Sequence, residues 1–397
     1  MMDLLFAKRM ENLGGSAVRE ILKLTQRPNI ISFAGGLPSP DSFPVDELRE
    51  VTNKVYLDYG VKMLQYGITE GYQPLLEFIA GWLKTAKGIE TSPDEIQITT
   101  GSQQGIDLVS RVFLNAGDEV VIESPSYLSA FQVFNLHRVK YIPVDSDEDG
   151  MKVNELEKML IEGHRPKIVY TVPTYQNPTG ITLSLERRKR LIELADKYNF
   201  YIIEDNPYGE LSYDGEQIPT LKSMDKSGRV FYLGSFSKIV APGLRIGYVV
   251  AHSEIRQKIT VAKQACDVHS SNLSQYIIYE FCRQGFLNPH IKKICELYKV
   301  KRNAMFLALE EYFPVETNWT RPKGGLFIWV KLPEACSSTD LLGLAVAQGV
   351  AFVPGNPFFV DNSGQNTMRL NFSNAALDQI KEGIDKLGGV IKEYLKY

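Results

Sequence analysis

The sequence is poor in cysteine, in histidine and in net charge, and each shortage removes a class of function. Its four cysteines, Cys266, Cys282, Cys295 and Cys336, are scattered, with no C-x-x-C pair. In a chain of 397 residues that pattern describes reduced thiols rather than a disulfide frame or a zinc site. The Asn-x-Ser/Thr triplets at Asn272, Asn318 and Asn371 are then chance matches. The five histidines lie far apart without an H-x-x-x-H grouping, so no metal is expected. A formal net charge of −3 offers no surface for nucleic acid or anionic membrane. No apolar run approaches the ~20 residues that span a bilayer. The best, Leu341 to Val353, is broken by Gln348 and Gly349. The start, Met1 to Phe6, has no basic stretch ahead of its short apolar patch and no small-residue cleavage site after it. No secretory signal is expected, and a cytoplasmic address follows.

What is present is a large α/β pattern. The chain is long enough for two or three compact units of roughly 150 residues each. From about residue 94, short runs rich in Val, Ile and Tyr alternate with helical periodicity. Strands are expected at Ile96–Thr100, Glu119–Glu123, Lys140–Val144, Ile168–Val172, Tyr201–Glu204, Val230–Gly234 and Ile246–Val250, with helices at Ser184–Tyr198 and Glu254–Ala265. Such alternation reads as parallel βα units in a sheet covered on both faces. The spacing from Tyr201 to Val230 leaves little room for a regular helix, and that from Val230 to Ile246 almost none. Those strands are expected to pair locally, with an antiparallel arrangement open. The overall expectation is a mixed, mainly parallel, seven-stranded sheet.

After about residue 286 the texture becomes α+β. A helix from Leu287 to Glu311 leads to strands at Gly325–Leu332, Val350–Val353 and Thr367–Phe372, closed by a helix from Ala375 to Lys392. The expected division is a large unit, 43–286, and a smaller one built from 1–42 and 287–397. The N-terminal segment offers Ser16 as a helix cap and a helix through Leu24, too short to stand alone.

Four positions form a chemically coherent set: Asn177 in Asn177-Pro178-Thr179-Gly180, Asp205 and Tyr208 in Asp205-Asn206-Pro207-Tyr208, and Lys238 in Gly234-Ser235-Phe236-Ser237-Lys238. Each lies just beyond the C-terminal end of an expected strand, the edge where ligands of open α/β sheets gather. Singly, each has an ordinary use. Asn-Pro-Thr-Gly makes a turn, a strand-end Asp caps a helix, and a lysine among serines is commonly solvated. Gly101-Ser102-Gln103-Gln104 follows one strand and opens a helix at Gly105–Leu114, so its N–H groups and the helix dipole favour an anion.

These motifs, followed by Pro242-Gly243-Leu244-Arg245-Ile246-Gly247, resemble the class I/II aminotransferases of pyridoxal-5′-phosphate (PLP) fold type I. The resemblance runs from Ser32-Phe33-Ala34-Gly35-Gly36-Leu37-Pro38 to Asn366-Thr367-Met368-Arg369-Leu370. Thr99-Thr100-Gly101-Ser102-Gln103-Gln104 and Tyr232-Leu233-Gly234-Ser235-Phe236-Ser237-Lys238 are most similar to the 2-aminoadipate (LysN-like) branch, which includes broad-specificity and aromatic enzymes. The resemblance is specific for cofactor and fold, and weak for substrate.

The resemblance implies that Lys238 forms the Schiff base with PLP and then carries the proton at the substrate's Cα. Asp205 would keep the ring nitrogen protonated, so that the ring acts as an electron sink. Tyr208 and Asn177 would hydrogen-bond the ring oxygen, and Tyr127 would stack on the ring; without the family, Tyr127 reads as a half-buried core residue. The phosphate would be held by Gly101, Ser102, Gln103, Ser235, Ser237 and Arg245, and by Tyr66 from the other subunit of a homodimer. Arg245 could otherwise be a strand-end surface arginine. Arg369 would clamp the substrate α-carboxylate in a bidentate fork, near the Gly35-Gly36 backbone, although an exposed strand position also accommodates it. Arg19, on an N-terminal helix, would meet a side-chain carboxylate of the substrate; a solvated helix face explains it equally well.

The implied reaction moves an amino group from an α-amino acid of 2-aminoadipate, aromatic or branched-chain type to a 2-oxo acid such as 2-oxoglutarate. A β-eliminating lyase of the same fold type is the rival within enzymes, because PLP commits only to labilising a bond at Cα. A PLP-binding transcription regulator is the rival from another class. The cofactor motifs begin near Ser32, leaving no space ahead of them for a winged helix, and the charge gives it no support.

Overall fold

The computed structural model describes residues 5–10, 14–15, 29–214 and 218–395. In chain order its strands are β1 (Ile31–Ser32), β2 (Ile96–Thr99), β3 (Glu119–Ser124), β4 (Lys140–Asp147), β5 (Gly150–Met151), β6 (Ile168–Thr171) and β7 (Tyr201–Asp205). There follow β8 (Val230–Ser235), β9 (Gly247–Val250), β10 (Asn318–Trp319), β11 (Phe327–Lys331), β12 (Val350–Ala351), β13 (Val353–Pro354) and β14 (Thr367–Asn371).

The seven expected strands form one sheet in the order β2-β9-β8-β7-β6-β3-β4, and the two-residue β5 extends its edge as an eighth member. Strands β4, β3, β6, β7 and β8 run parallel to one another. β9 is antiparallel to both β8 and β2, as the short Val230–Ile246 spacing allows. The β7–β8 pair is parallel, which corrects the antiparallel option. A four-residue helix, Leu221–Met224, and its flanking loop suffice to cross over. Every residue of β2, β6, β8 and β9 is buried, as strands covered on both faces must be.

Local signals set the helices that cover this sheet. The helix Leu185–Tyr198 starts after Ser184, carries Glu186 in its first turn and Lys197 in its last, and stops at Asn199 in the left-handed conformation. Its Arg188 is fully buried and donates to the carbonyls of Leu183, Pro173 and Pro219 and to Thr174 Oγ1, fixing the segment that enters the Asn177 turn. Two helices ahead of the sheet, Val45–Leu64 and Gln73–Lys87, were not singled out by the sequence pattern.

A second sheet, β10-β11-β14-β13, is antiparallel throughout. The single run expected at Val350–Val353 is divided. β12 pairs with β1 in parallel, and β13 pairs with β14, so the chain changes sheets at Phe352. The helices Leu287–Tyr312 and Leu377–Tyr394 lie close to the boundaries read from sequence. The expected helix from Ser16 to Leu24, with Arg19, falls outside the described residues. Among the described residues no helix is long and apolar enough to cross a membrane, and no group of three or more His, Cys, Asp or Glu could hold a metal.

One backbone contact binds the main sheet to the site. A Cβ built on Gly247 of β9 would lie 2.7 Å from the Gly101 carbonyl carbon and 2.8 Å from the Ser102 nitrogen. No flexible side chain can yield there. Gly247→Ala is therefore expected to lower stability by about 1–3 kcal/mol, the usual cost of overpacking, read as a fall in melting temperature. An unchanged melting temperature would show that the Gly101 turn can move.

Candidate active site

The chemistry-bearing residues converge at the C-terminal edge of the main sheet. Asp205 ends β7, Lys238 follows β8 by three residues, the Asn177 turn follows β6, and Gly101 follows β2. Arg369 comes from the other sheet, in the middle of β14.

Asp205 is 1% exposed. Its Oδ2 accepts a hydrogen bond from Tyr170 Oη at 2.9 Å, while its Oδ1 is buried without a partner among the described residues. Burial pushes the carboxyl pKa up to about 7 against the opposing pull of the Tyr170 bond. Tyr170 stands opposite Ile203 in the β6–β7 pairing, so it shares a face with Asp205. Sequence reading passed it over as a core strand tyrosine.

Lys238 is partly buried, and its Nζ donates to the Gly36 carbonyl at 2.7 Å. Burial, helped by the charges of Arg369 and Arg245, lowers its pKa to about 8. The amine is therefore substantially neutral at mildly alkaline pH, as a nucleophilic lysine requires. Tyr208, buried, accepts from Asn177 Nδ2 at 3.3 Å and meets Phe327 edge-on at 5.7 Å. Burial raises its phenol well above the ordinary value.

Arg369 is 3% exposed. Its Nη1 donates to Asn177 Oδ1 at 2.8 Å and its Nη2 to the Ala34 carbonyl at 2.7 Å, while Nε is buried without a partner among the described residues. The guanidinium lies 4.3 Å from the Phe327 ring centroid and 5.1 Å from that of Phe358. With no carboxylate to offset burial, its pKa falls to about 10. The expected exposed alternative for Arg369 is thus excluded. Phe327 and Phe358 escaped the sequence reading because no motif marks them; the Gly324-Gly325 pair ahead of Phe327 was the available signal.

The Gly101 turn forms the other end of the site. Gly101 has φ +78°, and a Cβ there would lie 2.4 Å from Arg245 Nη2. Glycine thus permits both the backbone conformation and the approach of the guanidinium. Ser102 begins the helix Ser102–Phe113, whose N-terminal N–H groups suit an anion. Arg245 is exposed, with Nη2 donating to the Thr100 carbonyl at 3.2 Å and Nη1 to that of Pro242 at 3.3 Å. Gln103 Nε2 is occupied by the Ser129 carbonyl at 2.7 Å. Ser237 N donates to Ser235 Oγ at 3.1 Å. Tyr127 stands at the N-cap position of the helix Leu128–Leu136, and burial raises its phenol above the ordinary value.

Tyr66 stands apart. It is 81% exposed, edge-on to His269 at 5.9 Å. Arg19 lies outside the described residues. A cavity of about 1100 Å³ is lined by Gly180, Asn206, Trp319, Thr320 and Trp329 among others, but by none of the residues grouped here. Convergent polar groups with displaced pKa values mark the site better than volume does.

The sequence matches the family described as Aminotransferase class I and II over residues 28–387. It is 46% identical over 395 residues to the Aromatic-amino-acid aminotransferase 1 of Thermococcus litoralis, covering 98% of this chain and 95% of that protein. The kynurenine aminotransferase of Pyrococcus horikoshii, solved in complex with PMP, with KYN as substrates and KYA as products, superposes with a TM-score of 0.95 at 46% identity, covering 99% of this chain and 98% of that one. LysN, the alpha-aminoadipate aminotransferase of Thermus thermophilus, solved with N-(5′-phosphopyridoxyl)-L-leucine, superposes at 0.92 with 39% identity, covering 98% of each chain. The expected fold type I architecture therefore stands. A match this long, joined to motifs that meet at one sheet edge, leads to one assignment: the chain belongs to the class I and II aminotransferases.

Proposed function

We propose that this chain is a PLP-dependent aminotransferase that passes the amino group of a 2-aminoadipate, aromatic or branched-chain amino acid to a 2-oxo acid such as 2-oxoglutarate. The observation that carries the reading is a pair of groups in one site. One is an amine of lowered basicity, Lys238 Nζ; the other is a buried carboxylate oxygen, Asp205 Oδ1, without a partner among the described residues. Phosphopyridoxal fits both, and its phosphate fits the Gly101 turn beside Arg245.

When bound, the cofactor supplies a ring that draws electrons from the substrate's Cα. The rest is the work of the chain. Lys238 would hold the cofactor through its amine and, once freed, take the proton from Cα on Nζ. Asp205 Oδ1 would hold the ring-nitrogen proton in a charge-assisted bond, while Tyr170 orients the carboxylate through Oδ2. Tyr208 and Asn177 would bind the ring oxygen, and Tyr127 would cover the ring. Gly101, Ser102, Gln103, Ser235, Ser237 and Arg245 would surround the phosphate, with the backbone rather than the side chain of Gln103 serving, since its amide is already engaged. Arg369 would receive the α-carboxylate, held rigid by Asn177 and Ala34, beside the Gly36 backbone.

A homodimer is part of the reading. Leu57, Val61, Leu64 and Ile68 are exposed close to Tyr66, an apolar row that a second copy would cover, bringing Tyr66 to the partner's phosphate. The reading keeps the large unit at 43–286 and the small one at 1–42 with 287–397. The β1–β12 pairing and the Lys301 bond to Ser39 support it, since both tie the N-terminal segment to the C-terminal part.

Incubation of an amino acid with 2-oxoglutarate tests the reaction: glutamate is expected, whereas ammonia and pyruvate without glutamate would assign elimination instead. Borohydride reduction and peptide mapping should place the fixed cofactor on Lys238, and Lys238→Ala should abolish both label and turnover. A label that persists in the variant removes Lys238 from the role.

Asp205 makes a pH-dependent prediction. Its folded pKa, about 7, lies above the ordinary carboxyl value, so without a cationic partner the folded state binds the extra proton and stability falls as pH rises from about 4 to 7. Asp205→Asn should therefore raise the apoprotein's melting temperature at pH 8 while leaving it nearly unchanged at pH 4. In the loaded enzyme the same change should cut turnover by about 10²–10³-fold, the scale of losing one preorganised electrostatic partner. An apoprotein destabilised at pH 8 would contradict the argument.

For Arg369→Lys, loss of the two-pronged bond should raise KM for the amino acid by about 10–100-fold, matching roughly 1.5–3 kcal/mol per charged hydrogen bond. An unchanged KM would place the carboxylate elsewhere.

A further inference from the structure

Behind the Gly101 turn lies an ion pair, its lysine fully buried and its aspartate partly exposed, that includes none of the residues assigned above. Lys263, fully buried in the helix Ser253–Asp267, directs its amine at four oxygens: Gln104 Oε1 at 2.8 Å, Asp267 Oδ1 at 2.8 Å and Oδ2 at 2.9 Å, and Ser270 Oγ at 3.0 Å. An ammonium has three N–H donors, so its capacity is spent entirely within this cluster. Gln104 relays the arrangement. Its Oε1 also accepts from the Thr100 backbone N–H at 2.8 Å, and its Nε2 donates to Asp267 Oδ2 at 2.7 Å. The Thr100 hydroxyl donates to the same carboxylate oxygen at 3.2 Å and lies 3.1 Å from Ser270 Oγ. Thr100 is thus held at both its amide and its side chain, which leaves its carbonyl fixed. That carbonyl accepts from Arg245 Nη2.

The same cluster reaches the Tyr66 segment. His269 Nδ1 lies 2.8 Å from the Ser270 carbonyl, and its Nε2 accepts from the Gly67 N–H at 3.3 Å, which places the ring proton on Nδ1. Tyr66 rests edge-on against that ring. Asn272 Nδ2 donates to the Gln65 carbonyl at 2.6 Å.

We propose that Lys263 and Asp267 are positioning residues for the cofactor's phosphate, holding Thr100 and Gln104, and through the Thr100 carbonyl the Arg245 guanidinium, in the arrangement that receives the dianion. Ser270 and His269 extend the same scaffold to the Tyr66 segment. A buried ion pair adds little net stability over an apolar packing of equal volume, so its effect is on geometry. The inference rests on the PLP reading of the site and adds to it a layer that touches neither cofactor nor substrate.

The test compares two ligands of the apoprotein: PLP, and pyridoxal, which lacks the phosphate. For Lys263→Met the Kd of PLP, followed by absorbance of the bound cofactor, is expected to rise by about 10–100-fold, the scale for removing partners that stand behind a first layer of ligands. The Kd of pyridoxal should be unchanged. Should Lys263→Met fail to fold, Asp267→Asn and Gln104→Leu carry the same comparison, each checked by its melting temperature. Equal weakening of both ligands, the signature of a merely structural role, would overturn the proposal. So would an unaltered PLP affinity in every folded variant. A wild-type protein that does not bind PLP in the same assay would instead overturn the cofactor reading beneath it.

Discussion

The Asp205 carboxylate ends a strand buried on both faces, with Tyr170 on one oxygen and, among the described residues, no partner on the other. A charge taken out of water is costly unless something of opposite sign meets it. Lys238 and Arg369 share the predicament: neither has a carboxylate partner among the described residues, and burial is the leading cause of the lowered basicity of each. The protein thus brings three incompletely matched polar groups to one edge of the main sheet. On the proposed reading, an aldehyde, a protonated ring and a carboxylate would be the complementary set.

Much of the architecture was legible because burial on both faces writes itself into sequence. β6 and β8 are short, continuous apolar runs bounded by turn residues, and each has a chemically loaded segment directly after it. The helix Leu185–Tyr198 announced both of its ends. What escaped notice depended on neighbours distant in the chain. Tyr170 supports Asp205 only because β6 pairs with β7 in one register, and a one-residue slip would turn it to the opposite face. The run from Val350 to Val353 looked like one strand, since periodicity does not say which partner each residue finds.

Lys263 and Asp267 show the same limit from the other side. At i,i+4 on a helix they look like an ordinary solvated pair, yet Lys263 is fully buried. Burial converts a surface pattern into an internal brace, and only the packed fold reveals which pairs are treated so. The division of labour follows layers. In the proposed phosphate site, backbone N–H groups and the Arg245 guanidinium would face the anion, with Thr100 and Gln104 behind them and the ion pair behind those.

Arg369 belongs to one sheet and Asn177 to a turn of the other, and a single hydrogen bond of 2.8 Å joins them. One of the ties between the two sheets is therefore the same guanidinium that, in the proposed function, would receive the incoming acid. On the proposed reading, a carboxylate bound there would add a charged anchor to a guanidinium otherwise fastened to the neutral amide oxygens of Asn177 and Ala34, and a substrate lacking that group would leave the joint with those two bonds alone.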